Sequence, residues 1–458
     1  MAGISFELRK VLREKTISAI FKAFGYSFAL SSGPYVITIL SLIISYFLSY
    51  DIIKQKLVLT QFQVSITYLV AFSLIYTGFS QLFFTRYVAD RFFEKDYFKI
   101  LPNFIGILVL NMGPAFFVSL LFGLIFISKY TGILYTLFFS LTFTILVGIW
   151  IINIILTGLK SYKYILFSFF IAYLIFIVAS YFLASFGLNG LMFSFFLGQS
   201  VLFLLLLLYF IYLNYSEKIV EFDFLNRNRI FVSLIFTGFF YNLALWTDKF
   251  VFWFNESTST PVIGPIIRYS IVYDIPIFLA YLAISPGMAA FFLKLEAEFA
   301  SYYERYYDAV RKGLILQKIY EYGDEMIEAA RAAILDTIRI QGIFNIVIII
   351  FDKFIFDIFK IPLIYLPLFH IMLLGTYLQL ILLSLFALFF YFDRRKESLI
   401  LSITFFSLNL FFSVVTVILG PYFYGYGFVL SIFLTVIISI LMLRRFLYEI
   451  HYHTFMLR

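Results

Sequence analysis

The 458-residue sequence contains no cysteine, which excludes disulfides, thiolate metal sites and cysteine nucleophiles. Charge is almost as scarce. Asp, Glu, Lys and Arg make up 13% of the chain, against roughly 25% in an average soluble domain. Hydrophobic residues make up 63%, and the mean hydropathy is +0.99. A soluble globule of this size must cover its surface with polar groups, and this chain has too few. A soluble enzyme, a disordered chain and a coiled coil are therefore excluded. An outer-membrane barrel is excluded as well, because barrels need short alternating segments and the apolar runs here are about twenty residues or longer.

Enzyme signatures are missing too. No GxxxxGK[ST] and no HExxH motif occurs, and no polar stretch is long enough for a glycosyltransferase domain. Tryptophan is rare, at 3 residues against 64 Phe and 35 Tyr. Of the 3 histidines, His451 and His453 form a weak His-Tyr-His metal pattern near the chain end. His370 lies within an apolar run, where packing against a neighbour and relaying a proton are both open readings. These absences leave a transporter or a membrane scaffold, not an enzyme, with no cofactor and no metal implied.

What is present is length and apolarity. Runs able to cross about 30 Å of hydrocarbon fall at 27–49, 62–84, 102–127, 132–157, 164–186, 189–213, 230–254, 269–293, 338–359, 364–392, 398–419 and 423–443. The fold class is therefore an all-α polytopic membrane protein with twelve spans. The ninth is interrupted at its outer end by Asp352, Lys353 and Asp357. An even count puts both termini on one face, and the basic residues select it. With the N-terminus inside, 27 Lys and Arg lie on the inner face or its tails and 6 on the outer (Lys54, Lys56, Lys129, Arg268, Lys353 and Lys360), with Lys249 inside a span. That bias follows the positive-inside rule and puts both termini in the cytoplasm. The net charge of +8 is thereby explained without nucleic acid.

The expected organisation is an amphipathic N-terminal segment at 1–26, a six-helix bundle at 27–213, a linker at 214–229, a second bundle at 230–443 and a tail at 444–458. The start shows a charged helical stretch and no small-residue cleavage site. Within the second bundle, 294–337 reads as two amphipathic helices broken at Gly313 and again near Gly323. They are expected either to lie on the membrane surface or to dock a cytoplasmic partner through Tyr302, Arg305 and Tyr306. Bends are expected at Gly33-Pro34, Gly113-Pro114, Pro276 and Pro286, because proline in a membrane helix frees a backbone carbonyl.

Ionisable groups inside a membrane cost several kcal/mol unless paired or hydrated, so they mark candidate sites. Asp248 and Lys249 sit near the outer end of the seventh span, and Arg268 and Asp274 at the start of the eighth. A hairpin of these spans brings the four near one level, either as a structural ion-pair cluster or as a site meeting a substrate or coupling proton. Phenylalanine is too widespread for any one ring to mark a sugar path.

Several segments resemble the PelG family of Pel exopolysaccharide transporters. They are Met1-Ala2-Gly3-Ile4-Ser5-Phe6-Glu7-Leu8-Arg9-Lys10, Ser31-Ser32-Gly33-Pro34-Tyr35, Thr247-Asp248-Lys249-Phe250 with Phe252-Trp253, and Tyr273-Asp274-Ile275-Pro276-Ile277-Phe278 running through Ser285-Pro286-Gly287-Met288 to Glu298-Phe299. Ser5 and Tyr35 stand where that family more often has Gly and Trp. The resemblance implies the MOP superfamily, which includes MATE exporters and lipid-linked oligosaccharide flippases. It implies two six-helix bundles rocking about a cavity in the bacterial inner membrane. The implied cargo is an N-acetylhexosamine-rich polysaccharide of the biofilm matrix, moved to the periplasm. The implied partners are a cytosolic glycosyltransferase, a cyclic-di-GMP receptor and a small membrane scaffold. A cation-coupled small-molecule exporter of the MATE type and a lipid-linked oligosaccharide flippase stand as alternatives.

Overall fold

The computed structural model describes residues 17–226 and 229–456. The surface helix expected near the N-terminus falls largely on 1–16, outside the described residues. The long helices follow from apolar runs with few breakers. In chain order they are α1 (Ile17–Ile53), α2 (Lys56–Glu94), α3 (Ile100–Phe122), α4 (Ile133–Gly158), α5 (Tyr162–Leu183), α6 (Gly187–Leu213) and α7 (Val232–Trp253). A two-stranded hairpin follows, β1 (Thr260–Ile263) and β2 (Ile267–Tyr269). Then come α8 (Ile271–Ala283), α9 (Ser285–Phe292), α10 (Ala300–Arg311), α11 (Leu316–Ile350), α12 (Asp352–Ile358), α13 (Leu366–Tyr391), α14 (Arg395–Leu419), α15 (Tyr426–Tyr448) and α16 (Ile450–Met456).

Among the described residues, ten segments are long and apolar enough to cross a membrane. One of them, Tyr162–Leu213, holds both α5 and α6. The helix α7 is not among the ten; its Asn242, Thr247, Asp248 and Lys249 lower its hydropathy. Each apolar run read from the sequence thus has a helix, and the chain is an all-α polytopic membrane protein.

The chain divides into two compact units: Pro34–Ser270, and Met1–Gly33 with Ile271–Arg458. This division differs from the border expected at 214–229. The helix α1 contributes to both units, and α7 stays with α2–α6.

In the Pro34–Ser270 unit, α2 and α7 run antiparallel and pack through a ladder of rings. Phe79 stacks on Phe239 at 4.2 Å, Phe72 on Phe250 at 5.2 Å and Tyr68 on Trp253 at 4.8 Å. Small residues let the backbones approach where the two helices meet. A Cβ built on Gly78 would lie 2.7 Å from the Gly238 carbonyl oxygen. The hairpin is pinned to α2: the Tyr68 hydroxyl donates to the Arg268 carbonyl at 2.9 Å and accepts from its N–H at 3.1 Å, while Gln61 donates to the Val262 carbonyl at 3.0 Å.

In the other unit, α8, α9 and α10 are joined through a single residue, Ile284, and a π-helical stretch at Leu293–Phe299. The expected break near Gly323 is absent: α11 runs unbroken through it for 35 residues. At 1.5 Å per residue that is about 52 Å, well beyond the roughly 30 Å hydrocarbon core. The polar 294–337 stretch is continuous in helix with the apolar segments on either side of it, apart from the turn at 312–315. Only the Gly313 break stands, with its positive φ of 62° at the turn between α10 and α11. At the other end α11 stops at Ile350, just before Asp352 and Lys353, as the interrupted ninth run suggests.

Candidate functional site

The ionisable pair on α7 is built within one turn of helix. Neighbouring helical positions point about 100° apart, so a carboxylate and an ammonium at successive positions meet only if the long chain folds back. Lys249 does this. Its Nζ donates to the Leu245 carbonyl at 2.8 Å and lies 3.1 Å from each Asp248 carboxylate oxygen. Asp248 is 0% and Lys249 5% exposed. Two opposite charges removed from water are tolerable only in such a paired, hydrogen-bonded geometry. The next residues toward the N-terminus are also tied inward, with the Thr247 hydroxyl donating to the Leu243 carbonyl at 2.7 Å.

Arg268 belongs to the same unit but is engaged elsewhere. Its guanidinium donates to the Ser259 hydroxyl at 2.8 Å and the Ser259 carbonyl at 3.3 Å, which braces the hairpin. Asp274 lies in the other unit, in the first turn of α8, and is half-buried. Of the four ionisable candidates, Asp248 and Lys249 form a direct pair.

The bend candidates fall at distinct places. Pro34 lies inside α1 beside Gly33, and Pro114 inside α3 beside Gly113. Pro276 is buried inside α8. Pro286 occupies the first turn of α9, where a missing N–H costs nothing.

The three docking candidates separate. Tyr302 is exposed. Arg305 bonds Glu325 at 2.9 Å and covers the Tyr322 ring at 4.1 Å, clamping α10 to α11. Tyr306 is not available for docking: it is 0% exposed. Its hydroxyl meets His451 Nδ1 at 3.2 Å and the Thr454 hydroxyl at 3.4 Å. It holds the α16 tail in place. His451 also packs on Tyr320, with ring centroids 4.3 Å apart. Burial pushes the His451 imidazole below its ordinary pKa, against a weaker upward pull from Asp324. Among the described residues no cluster of three His, Asp or Glu side chains is placed to hold a metal ion.

Sequence reasoning missed the polar interior of the Pro34–Ser270 unit. Ser80 donates to the Asn111 side-chain carbonyl at 2.6 Å, Tyr76 to the Asn111 backbone carbonyl at 3.1 Å, and the Trp150 indole to the Ser73 hydroxyl at 2.9 Å. Uncharged residues scattered through apolar runs carry no spacing signal, so nothing in the sequence singled them out. The hairpin was also missed, although Gly264-Pro265 between β-branched residues was a usable turn signal.

Residues 1–455 match the family model described as "PelG: Putative exopolysaccharide Exporter (EPS-E)". No curated protein matches the chain. Among solved structures it is similar to a MOP superfamily transporter from Pyrococcus furiosus, at 14% identity and TM-score 0.63 over 92% of this chain and 96% of that one. It is similar to an outward-facing multidrug resistance MATE family transporter, at 15% identity and TM-score 0.61 over 92% and 96%. It is also similar to an inward-facing one, at 15% and 0.58 over 90% and 95%. Identity this low speaks for the fold alone, which is that of the MOP superfamily.

Proposed function

The chain belongs to the PelG family of exopolysaccharide exporters, and from that premise we propose that it carries Pel-type, N-acetylhexosamine-rich polysaccharide from cytoplasm to periplasm by alternating access. It does so in the bacterial inner membrane, with both termini cytoplasmic. The observation that carries this reading is the family match over residues 1–455 in a chain whose seventh span keeps a fully buried Asp248–Lys249 pair. The 27-to-6 distribution of basic residues supports the orientation. In this reading export depends on the Asp248–Lys249 pair of the Pro34–Ser270 unit, and separately on Asp274 in the first turn of α8. A cytosolic glycosyltransferase, a cyclic-di-GMP receptor and a membrane scaffold work with it.

The test is deletion of the gene with measurement of secreted N-acetylhexosamine polymer. Loss of secretion restored by the wild-type gene supports the reading. Undiminished secretion overturns it, and a change only in tolerance to small toxic cations points instead to a MATE-type exporter.

A further inference from the structure

Asp352 and His370 are brought together by two chain breaks. α11 stops at Ile350, the chain turns at Phe351, and Asp352 opens α12. The chain then returns through 359–365 to start α13, with His370 in its second turn. His370 Nε2 lies 2.7 Å from Asp352 Oδ2, and the other carboxylate oxygen accepts from the Lys353 N–H. The carboxylate side chain is 8% exposed and the imidazole 36%. The Phe356 and Phe369 rings, 5.4 Å apart, pack beside the pair. An accessible imidazole therefore stands over a buried carboxylate in apolar surroundings.

The charge balance of this pair is the informative point. Asp248 and Lys249 carry opposite charges in direct contact. Aspartate with a neutral imidazole carries one uncompensated negative charge, and a proton on the ring's Nδ1 edge would cancel it. Imidazole is the side chain whose charge ordinarily changes between about pH 5 and 8. Other charges stand on the neighbouring elements. The α8 and α13 helices run parallel, because Thr376 donates to the Ala280 carbonyl at 3.3 Å and Tyr281 to the Gln379 side chain at 2.9 Å. Counting back equal steps puts Asp274 at the level of His370. Lys353, Asp357 and Lys360 are exposed, Tyr365 is half-buried and Tyr424 buried.

We propose that the Asp352–His370 pair is a proton-binding site, at which a proton from the periplasm is taken up as polymer moves out. The proposal rests on the exporter reading and orientation given above, which put this end of α11–α13 on the periplasmic face. The cycle balances: a proton joins His370 Nδ1 from outside and is released inside in the opposite conformation. No covalent bond is made or broken.

The experiment is polymer export by cells carrying the full chain, at external pH values from about 5.5 to 8, the range of imidazole titration. Wild type is compared with His370→Gln, which keeps a donor for Asp352 but cannot be protonated. Expected is export by wild type rising about tenfold as external pH falls, and export by His370→Gln staying flat at equal membrane abundance. Wild-type export that ignores pH, or the same pH profile in both, overturns the proposal. Absence of export in wild type instead overturns the exporter reading. As a check independent of transport, the purified chain should bind one fewer proton across that range in the variant; equal proton uptake overturns the assignment.

Discussion

Gly78 on α2 and Gly238 on α7 lie against each other's backbone: a Cβ on Gly238 would stand 2.3 Å from the Gly78 carbonyl oxygen. A carbonyl cannot swing away as a flexible side chain can. The crossing therefore tolerates no side chain without separating the helices, and the Phe79–Phe239 stack beside it would part as well. Gly238→Leu is expected to destabilise the chain by about 3 kcal/mol or more, read as a lower Tm in detergent and lower membrane abundance. An unchanged Tm would mean the helices are not held at this distance.

The Asp248–Lys249 pair separates folding from transport. Lys249→Met alone leaves a buried carboxylate without its ammonium, and such a loss costs about 3–5 kcal/mol. Asp248→Asn together with Lys249→Met removes both charges and is expected to recover most of the stability while export stays low. Thermal unfolding and secreted polymer measured on the same variants check this. Recovery of both properties in the double variant would make the pair purely structural.

The tail is expected to respond to acid. Burial lowers the His451 pKa below its ordinary value, and its Nδ1 faces the Tyr306 hydroxyl, which only the neutral ring can accept from. The sign follows: an undocked tail binds a proton more readily than a docked one. The docked tail's stability is whole above the ordinary histidine pKa, near 6.5, and falls as pH drops below it. Amide protection over 450–456, the exchange rate relative to the intrinsic base-catalysed rate at each pH, should therefore weaken between pH values of about 7.5 and 5.5, and His451→Phe should flatten that difference. Protection independent of pH in the wild type would remove the latch.

Orientation can be mapped directly, because the chain has no cysteine and each introduced one reports alone. Cysteines at Lys312 and Lys396 should be shielded from an impermeant maleimide in intact cells. Cysteines at Lys54 and Lys360 should be labelled. The reverse pattern would invert the topology that the basic residues predict.

Much of the fold was legible because hydrocarbon imposes a coarse requirement, about twenty apolar residues per crossing, and the runs meet it plainly. The burial of Asp248 and the interruption at Asp352 were legible for the same reason, since charge stands out against an apolar background. Contacts were less so. Tyr306 looked like a surface residue on an amphipathic helix, and what buries it is a tail about 145 residues further on, at His451. Gly323 looked like a breaker, yet here it makes room for the His451 ring, which a Cβ would meet at 2.5 Å. The Asp352–His370 pair needed a chain reversal that no local pattern announces.

The central claim, polymer export through a path that depends on the buried α7 charges, is tested most directly by complementing a deletion strain with Asp248→Asn. Secreted N-acetylhexosamine polymer is quantified at equal membrane abundance of the wild-type and variant chains. Export about tenfold or more below wild type is expected, the scale of losing one charge-dependent step. Wild-type secretion from Asp248→Asn would contradict it.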